Sequence, residues 1–435
     1  MTSVDLANEI LGLIIDHIDA DSLEGRKALS ACSCANYALQ SMAQPRIFRD
    51  VTLSYGSVRK PNMDIVFCED IGTSGSKFLE VITRTPLIAT YVRRLIVRLT
   101  NTLDTIRCQE DRLLSETEEI SLRLIVPHLT KLQQFSACNF TGLFSWQAIE
   151  RRTQLLFLNA IPLVQELDLQ LFYKLPLSAF HGADNLRSLR VHNYWKQEGI
   201  LHPAMNKTRL DYLDIKRAYF PLEGLALNFQ SSWSPFDITH LRHLRLSDSQ
   251  FNHSEINEVL VICSRTLETL LLQVDALIHH PPPLHSELSG LQKLHRLMIV
   301  TSLDGIMYRP DDLINNWHFG AIFSALPFKD HPAYHPVLQV DIIFEVVDKL
   351  SLETNFPLLP WAAFGQVLDD DLMLGYIKNV NFLIKQRSYH GAQRIQSDDI
   401  KSTLWGMLDH YESLKTLRMR GILAFGGIDT IIFRS

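Results

Sequence analysis

The side chains of this chain best suited to metal chemistry are three histidines, a run of aspartates and a pair of cysteines: His279, His280 and His285, Asp369, Asp370 and Asp371, and Cys32 and Cys34. Imidazole and thiolate groups are zinc ligands, and clustered carboxylates suit a hard cation such as calcium. The histidines flank a proline run without a cysteine or carboxylate framework, which is typical of a solvated loop. The aspartate run is typical of the solvated end of an element. We therefore predict no metal site.

Catalytic and phosphate-binding patterns are the second kind of chemistry to consider. The segment from Gly72 to Lys77 is rich in the residue types of a phosphate loop, but it lacks the four-residue gap of that motif and a preceding buried strand, so we predict a flexible loop. Cys32 and Cys34 fall in a predicted helix, where residues two apart point to nearly opposite sides, which favours packing over metal binding. The sequence contains no nucleophile elbow, HExxH, CxxC or kinase signature. We expect no catalytic residue, no cofactor and no enzymatic activity.

Composition and charge limit the class of protein. The chain has 435 residues, of which 46% are hydrophobic and 21% charged, as in ordinary globular proteins. Its net charge of -6 argues against a surface built for nucleic acid. The first residues lack a basic segment, and charges interrupt the longest aliphatic stretches, so we expect neither secretion nor a membrane anchor. Six scattered cysteines fit a reducing compartment, and we predict a cytoplasmic or nuclear location.

The first fifty or so residues hold more apolar side chains than a segment of this length can bury by itself. Apolar residues recur at every fourth position in two adjacent stripes of a predicted helix: Leu6, Ile10, Ile14 and Ile18 in the first, and Leu11 and Ile15 in the second. A second helix is predicted from Lys27 to Ala43, ended by Pro45, with Leu29 and Cys32 inward. The apolar surplus indicates a docking surface; the alternative is the ordinary core of a larger N-terminal domain.

Three parts of this segment have the sequence pattern of a known family: the start Leu6-x-x-Glu9-Ile10-Leu11, the helix from Ala28 to Ser33, and the end Phe48-Arg49-x-Val51-x-Leu53. They resemble an F-box, in a form similar to the F-box proteins of mushroom-type fungi. The resemblance implies a small helical module, residues 1–53, that docks on a Skp-type adaptor and through it on a cullin ubiquitin ligase, while the rest of the chain holds a protein substrate. The adaptor contacts that it implies are Leu6, Ala7, Ile10, Leu11, Ile14, Leu29, Cys32 and Phe48.

An internal repeat marks the remainder of the chain. The motif aliphatic-x-x-aliphatic-x-aliphatic starts at Val92, Leu132, Val164, Leu186, Leu210, Leu241, Leu267 and Leu294, with weaker copies at Val337, Ile377 and Leu414. Copies between residues 164 and 294 are 22 to 31 residues apart, close to the leucine-rich-repeat period of about 20 to 29. Each copy is predicted to be a short strand whose fourth and sixth positions point to the same face.

The repeats resemble leucine-rich repeats over most of residues 92–435, and residues 54–91 are predicted to join them to the N-terminal module without a long flexible linker. The ninth position of the repeat carries no asparagine, and the steps outside the central block are longer. We therefore predict an α/β fold in which the helical F-box is followed by an irregular leucine-rich-repeat solenoid with a mainly parallel sheet. The alternative is several α/β units whose buried parallel strands merely share the pattern.

The third, fifth and seventh positions of successive copies become neighbours on the inner surface of such a solenoid. Aromatic and arginine side chains are favoured at interface hot spots, so the predicted substrate-binding residues are Arg190, His192, Tyr194, Trp195, Tyr212, Asp214, Lys216, His243 and Arg245. We interpret the chain as a non-catalytic substrate receptor of a Skp/cullin/F-box ubiquitin ligase. The alternative is a leucine-rich-repeat scaffold or interaction protein with a vestigial F-box, which would not bind the adaptor.

Overall fold

The structure, a computed structural model, describes residues 8–20, 22–59, 65–67, 75–100, 116–139, 144–148, 151–169, 172–173, 175–193, 195–196, 206–217, 229–230, 232, 234–247, 253–274, 291–303, 338–346, 349–359, 361–368, 377–386 and 397–425. The chain divides into two compact units, Met1–Leu201 (unit 1) and His202–Ser435 (unit 2). Each unit is mixed α/β, with helices and a mainly parallel sheet. The domain boundaries expected at residues 53 and 91 stay predictions.

Unit 1 begins with three helices: α1 Asn8–His17, α2 Leu23–Ala35 and α3 Tyr37–Ile47. One fully buried residue from each helix, Ile15, Leu29 and Ala43, forms the core of this three-helix module. The start of α2 is capped by Ser22, whose Oγ accepts a hydrogen bond from the backbone N–H of Gly25 at 3.0 Å. The module therefore has a core and caps of its own.

The predicted second helix is two helices in the structure, because the chain breaks at Asn36. The extended backbone of Asn36 ends α2, and its Oδ1 accepts a hydrogen bond from the N–H of Leu39 at 2.8 Å, which caps the start of α3. Asparagine is among the most favoured N-cap residues because its side chain satisfies an N–H that lacks a helical partner. The cap explains why one predicted helix became two.

The expectation that Pro45 ends the helix was wrong, since α3 continues through it to Ile47. A proline inside a helix removes one backbone hydrogen bond. The last turn of α3 is held instead by Arg46, whose Nη1 donates to the carbonyl of Ile15 at 2.6 Å and to Asp16 Oδ1 at 2.9 Å. Contacts with α1 thus override the local preference.

The rest of unit 1 alternates strands with helices. The strands are β1 Asp50–Arg59, β2 Ile65–Phe67, β3 Arg94–Thr100, β4 Gln134–Asn139, β5 Phe144–Ser145, β6 Glu166–Leu169, β7 Phe172–Tyr173, β8 Leu175–Pro176, β9 Ser188–Asn193 and β10 Trp195–Lys196. The helices are α4 Gly75–Arg84, α5 Pro86–Ala89, α6 Glu116–Ile125 and α7 Arg151–Ala160, with short 3-10 turns at Val126–His128, Trp146–Ala148, Ile161–Leu163 and Leu177–Phe180. Strand order in the main sheet is β2-β1-β3-β4-β6-β9, parallel except for the antiparallel pair β1 and β2.

Unit 2 continues the alternation. Its strands are β11 Thr208–Arg209, β12 Tyr212–Arg217, β13 Phe236–Asp237, β14 His243–Ser247, β15 Thr269–Val274, β16 Arg296–Ser302, β17 Leu338–Val346, β18 Ile377–Gln386 and β19 Leu423–Phe425. Its helices are α8 His253–Cys263, α9 Lys349–Asn355, α10 Trp361–Leu368, α11 Ser397–Leu408 and α12 Glu412–Met419, with a 3-10 turn at Phe356–Leu358. The order β12-β14-β15-β16-β17-β18-β19 is parallel throughout.

Ten of the eleven motif copies contribute a strand, and their aliphatic positions align across the sheet within each unit. The fourth positions pair as Leu95, Phe135, Leu167 and Leu189 in unit 1, and as Leu213, Leu244, Leu270, Leu297, Val340 and Val380 in unit 2. All of these side chains are buried. Because side chains alternate along a strand, the third, fifth and seventh positions lie on the other side of the sheet in each unit, which we call the variable face of that unit.

The eleventh copy, which starts at Leu414, was wrongly predicted to be a strand. It lies in helix α12, where Leu414 and Leu417 are buried and Met419 is 81% exposed. A spacing of three residues fits the first half of the motif, but it also places two residues on one face of a helix. The spacing alone therefore did not discriminate a strand from a helix. The last strand, β19, follows a few residues later.

Candidate functional site

The clearest surface feature of the three-helix module is an apolar face on α1. Ile10, Leu13 and Ile14 are all exposed, Leu13 to 61%. Their spacing of three and four residues puts them on one side of the helix, opposite the buried Ile15. Leu11 is half-buried. Leu13 was not among the predicted adaptor contacts, although its spacing from Ile10 was visible in the sequence.

Two predicted adaptor contacts belong to the packing of the module instead. Leu29 is fully buried in the core, so the structure contradicts its assignment to a contact surface. Cys32 is half-buried and packs against that core, while Cys34 is exposed on the same helix. Phe48 caps the end of α3 and is half-buried.

Several expectations lie wholly or partly outside the described residues. Leu6, Ala7, His279, His280, His285 and the aspartates 369–371 are not among them. The glycine-rich loop was predicted to be flexible throughout, but its second half, from Gly75, starts helix α4. Gly75 is buried there, and glycine is required because a Cβ at this position would collide with the hydroxyl of Tyr55 and with Ser121.

The predicted substrate row in unit 1 centres on Arg190. Arg190 on β9 lies in register with Asp168 on β6, and their side chains are 4.0 Å apart from Nη1 to Oδ2, both partly exposed. His192 lies on β9 and Trp195 on β10, whereas Tyr194 lies outside the described residues. The variable face of unit 1 therefore presents a charged pair at the predicted position.

The same row in unit 2 is built from β12 and β14. Tyr212 is in register with His243, Asp214 with Arg245, and Lys216 with Ser247. Tyr212 and Asp214 are buried, so the structure contradicts their assignment as open contact residues. They support their neighbours instead: the rings of Tyr212 and His243 are 6.4 Å apart, and Asp214 Oδ2 lies 3.7 Å from Arg245 Nε.

Partial burial at the amino end of β14 favours the neutral form of His243. Burial lowers the pKa of His243, with Arg242 and His295 acting in the same direction and Glu268 opposing them. Hydrogen bonds from Arg242 lower the pKa of the Glu268 carboxyl; Nε and Nη2 of Arg242 lie 2.8 and 2.9 Å from its two oxygens. A neutral imidazole beside a fixed ion pair can donate or accept a hydrogen bond from a ligand.

A buried carboxylate further along the variable face was missed from the sequence. Asp341 on β17 accepts hydrogen bonds from Arg296 Nε at 2.7 Å, Gln339 Nε2 at 2.9 Å and Asn381 Nδ2 at 2.7 Å. Arg296 and Gln339 occupy the third position of their copies and Asp341 the fifth. Extending the count of variable positions beyond β14 would therefore have found this cluster.

The variable face is not an open row over its whole length. Four side chains on β15, β16 and β17 form a buried apolar cluster with Leu383 packed against it: Leu271, Met298, Val300 and Ile343. Both faces of these strands are therefore buried, as in the interior of an α/β protein. The expectation of solvent-facing variable positions fails for this part of unit 2.

Two of the described cysteines, Cys138 and Cys263, have thiols that burial makes unreactive. Burial raises the pKa of the Cys138 thiol on β4 and raises the pKa of Cys263 on α8 to about 12. Both thiols are therefore protonated near neutral pH and are weak nucleophiles. Within the described ranges, no three His, Cys, Asp or Glu side chains are grouped to hold a metal ion.

No helix in the described part of the chain has the length and apolar content needed to cross a membrane. Comparison with known proteins gives no assignment: no protein-family model matches the chain, and no curated protein matches it.

Proposed function

We propose that this chain is a non-catalytic substrate receptor of a Skp/cullin/F-box ubiquitin ligase. In this proposal the three-helix module docks on the Skp-type adaptor, and through it on the cullin, while the variable face binds a protein substrate. The remaining chain is proposed to be an irregular leucine-rich-repeat solenoid. A ligase subunit of this kind would act in the cytoplasm or nucleus.

The apolar face of α1 is the observation that carries the proposal. Single exposed apolar side chains are ordinary, but Ile10, Leu13 and Ile14 adjoin one another on about one helical turn. An amphipathic helix that lays such a face into a groove is a recurring mode of protein recognition. The module does not need these residues for its own core, which is formed by Ile15, Leu29 and Ala43.

The repeat proposal is supported by a bonding pattern at the amino end of the strands. In six copies the N–H groups of the second and third motif positions both donate to the carbonyl of the second position of the preceding copy, as Gln133 and Gln134 do to Arg93 at 2.7 and 2.9 Å. Glu268 and Thr269 repeat the pattern on Arg242 at 2.8 and 3.0 Å. Identical bonding in both units is expected of stacked repeats.

Affinity capture from purified components tests the proposal. The full chain should retain a Skp-type adaptor, and the double substitution Ile10→Asp, Ile14→Asp should abolish capture because it puts two charges on the apolar face. The matched control is Val261→Asp, Leu350→Asp, which changes two exposed apolar residues of unit 2. Absence of capture by the unmodified chain, or equal capture by both double variants, would contradict the proposal.

A further inference from the structure

The amino-terminal edge of the unit 1 sheet carries a column of side chains rich in hydrogen-bond donors. Each member directly precedes one strand, β1, β3, β4, β6 or β9: Arg49, Arg93, Gln133, Gln165 and Arg187. We call these five residues the edge column. Except for Arg93, which is half-buried, they are exposed. Arginine and glutamine contribute several donors each, and the column contains no acid.

Backbone hydrogen bonds hold the edge column in line. The N–H of each member donates to the carbonyl of the member before it: Arg93 to Arg49 at 2.9 Å, Gln133 to Arg93 at 2.7 Å, Gln165 to Gln133 at 2.8 Å and Arg187 to Gln165 at 2.8 Å. Neighbouring strands are about 4.8 Å apart, so five members span about 19 Å. A segment of about six residues in extended conformation, at about 3.3 Å per residue, has the same length.

The charge of this edge is opposite to that of the whole chain. We counted charges in the column, in the first residue of each following strand and in the described turns before the column members. There are five cations and three acids: Arg49, Arg93, Arg94, Lys131 and Arg187 against Asp50, Glu166 and Asp184. The whole chain has 42 lysines and arginines against 48 acids. Because this edge carries a surplus of cations on an otherwise acidic protein, it favours the binding of an acidic partner.

The chemistry of the column distinguishes an acidic protein segment from other polyanions. A guanidinium binds a carboxylate through two parallel hydrogen bonds, and a glutamine amide can pair with the main chain of an extended peptide. Asp50 follows Arg49 at one end of the column, and Glu166 begins β6, on a strand between those of Arg93 and Arg187. Acids set beside the arginines suit a segment with separated acidic side chains better than a continuous phosphate backbone, which would meet repulsion at both acids.

We propose that the edge column binds an acidic, extended segment of a protein partner. Calling that partner a substrate rests on the proposed function, but the binding itself requires neither adaptor nor cullin. The segment's carboxylates would lie on Arg49 and Arg187, with its main chain along Gln133 and Gln165, while Arg93, whose Nη1 donates to the Lys131 carbonyl at 3.0 Å, would contribute its charge. Specificity then resides partly at the strand ends and not only on the variable face.

Fluorescence anisotropy with the full chain tests the proposal. The probes are labelled twelve-residue peptides of alternating glutamate and serine, of glutamine and serine, and of lysine and serine, plus an oligonucleotide matched in charge to the first. We expect the glutamate peptide to bind most tightly, and added salt to weaken it. The substitution Arg49→Gln, Arg187→Gln should raise its Kd about tenfold, as expected for the loss of charge-assisted hydrogen bonds.

The matched control is Arg84→Gln, Arg418→Gln, which removes the same charge from exposed positions elsewhere. It should leave the Kd within about twofold, because those arginines lie outside the edge column, and melting curves should show both double variants folded. Equal effects of the two double variants, no binding of the glutamate peptide, or equally tight binding of the oligonucleotide would each overturn the proposal. Such a failure would leave adaptor capture intact, so it is distinguishable from failure of the proposed function.

Discussion

Arg296 on β16 and Asp341 on β17 form an ion pair in which the acid is buried and the base reaches solvent. The side chain of Asp341 is 1% exposed and that of Arg296 38%, with Nη2 at 2.6 Å from Oδ2. The side-chain amides of Gln339 and Asn381 also donate hydrogen bonds to this carboxylate. A guanidinium fixed in this way loses little freedom when it binds a ligand.

Removing that carboxylate charge should destabilise unit 2. We expect Asp341→Asn to lower the free energy of unfolding by about 1 to 3 kcal/mol, because the buried amide would bring an N–H group against the donors that now bind the carboxylate. The control Asp409→Asn breaks the exposed pair with Arg418 and should cost less than about 1 kcal/mol. Urea denaturation measures both; equal losses would show that burial of Asp341 is energetically unimportant.

Stability should fall as the pH is lowered through the range just below 6.5. The pKa of His243 is lower in the folded protein than its ordinary value of 6.5, chiefly through burial. On acidification the unfolded chain therefore binds a proton at this site before the folded chain does, which favours unfolding. His243→Asn should reduce the difference in urea midpoint between pH 7.5 and pH 5.5. An unchanged difference would mean that the imidazole is not the group responsible.

Two leucines of the three-helix module should separate packing from docking. Leu29→Ala empties a fully buried position and should cost about 3 kcal/mol, within the usual range for leucine truncation in a core. Leu13→Ala changes an exposed residue and should alter stability by less than about 0.5 kcal/mol. Thermal denaturation gives both values. A large loss at Leu13 would place that residue in the core and remove the argument for an unpartnered face.

Two helical glycines should respond oppositely to alanine. In Gly75→Ala the new methyl collides with Tyr55 and Ser121, so we expect a loss of about 1 to 3 kcal/mol, as for overpacking. In Gly406→Ala, within α11, nothing lies within 4 Å of the new methyl, and the helix should gain about 0.5 to 1 kcal/mol. Denaturation midpoints test the pair. A gain at Gly75 would show that β1, α4 and α6 are not closely packed there.

The strands could be predicted because each one contains the same short aliphatic motif, which recurs along the chain. Leu213, Leu244 and Leu270 each begin the same two-residue alternation, and parallel pairing brings them into one register. The copy at Leu414 failed because its spacing also suits a helix. The break at Asn36 was visible as a favoured cap residue, whereas the continuation through Pro45 depends on Arg46 reaching α1. A tertiary contact of that kind leaves no mark on the local pattern.

The sequence predicted which candidate-site residues lie side by side on neighbouring strands, but not which of their side chains are buried. Asp214 and Arg245 stand at the positions that the motif assigns, side by side on neighbouring strands. Periodicity identifies the face of a sheet to which a side chain belongs, but not what packs on that face. For this reason Asp214 was expected to be open and is buried. Conversely, four of the five members of the edge column occupy the second position of their motif copies, but that position precedes the strand and was not considered as a contact position.

Isothermal titration calorimetry of the purified chain with a Skp-type adaptor measures whether the three-helix module docks on that adaptor. We expect one-to-one binding with a negative heat-capacity change, the mark of apolar burial. We also expect loss of that binding in Ile10→Asp, Ile14→Asp but not in Val261→Asp, Leu350→Asp. No heat of binding from the folded, unmodified chain, or the same affinity in both double variants, would contradict the proposed docking and leave the scaffold alternative.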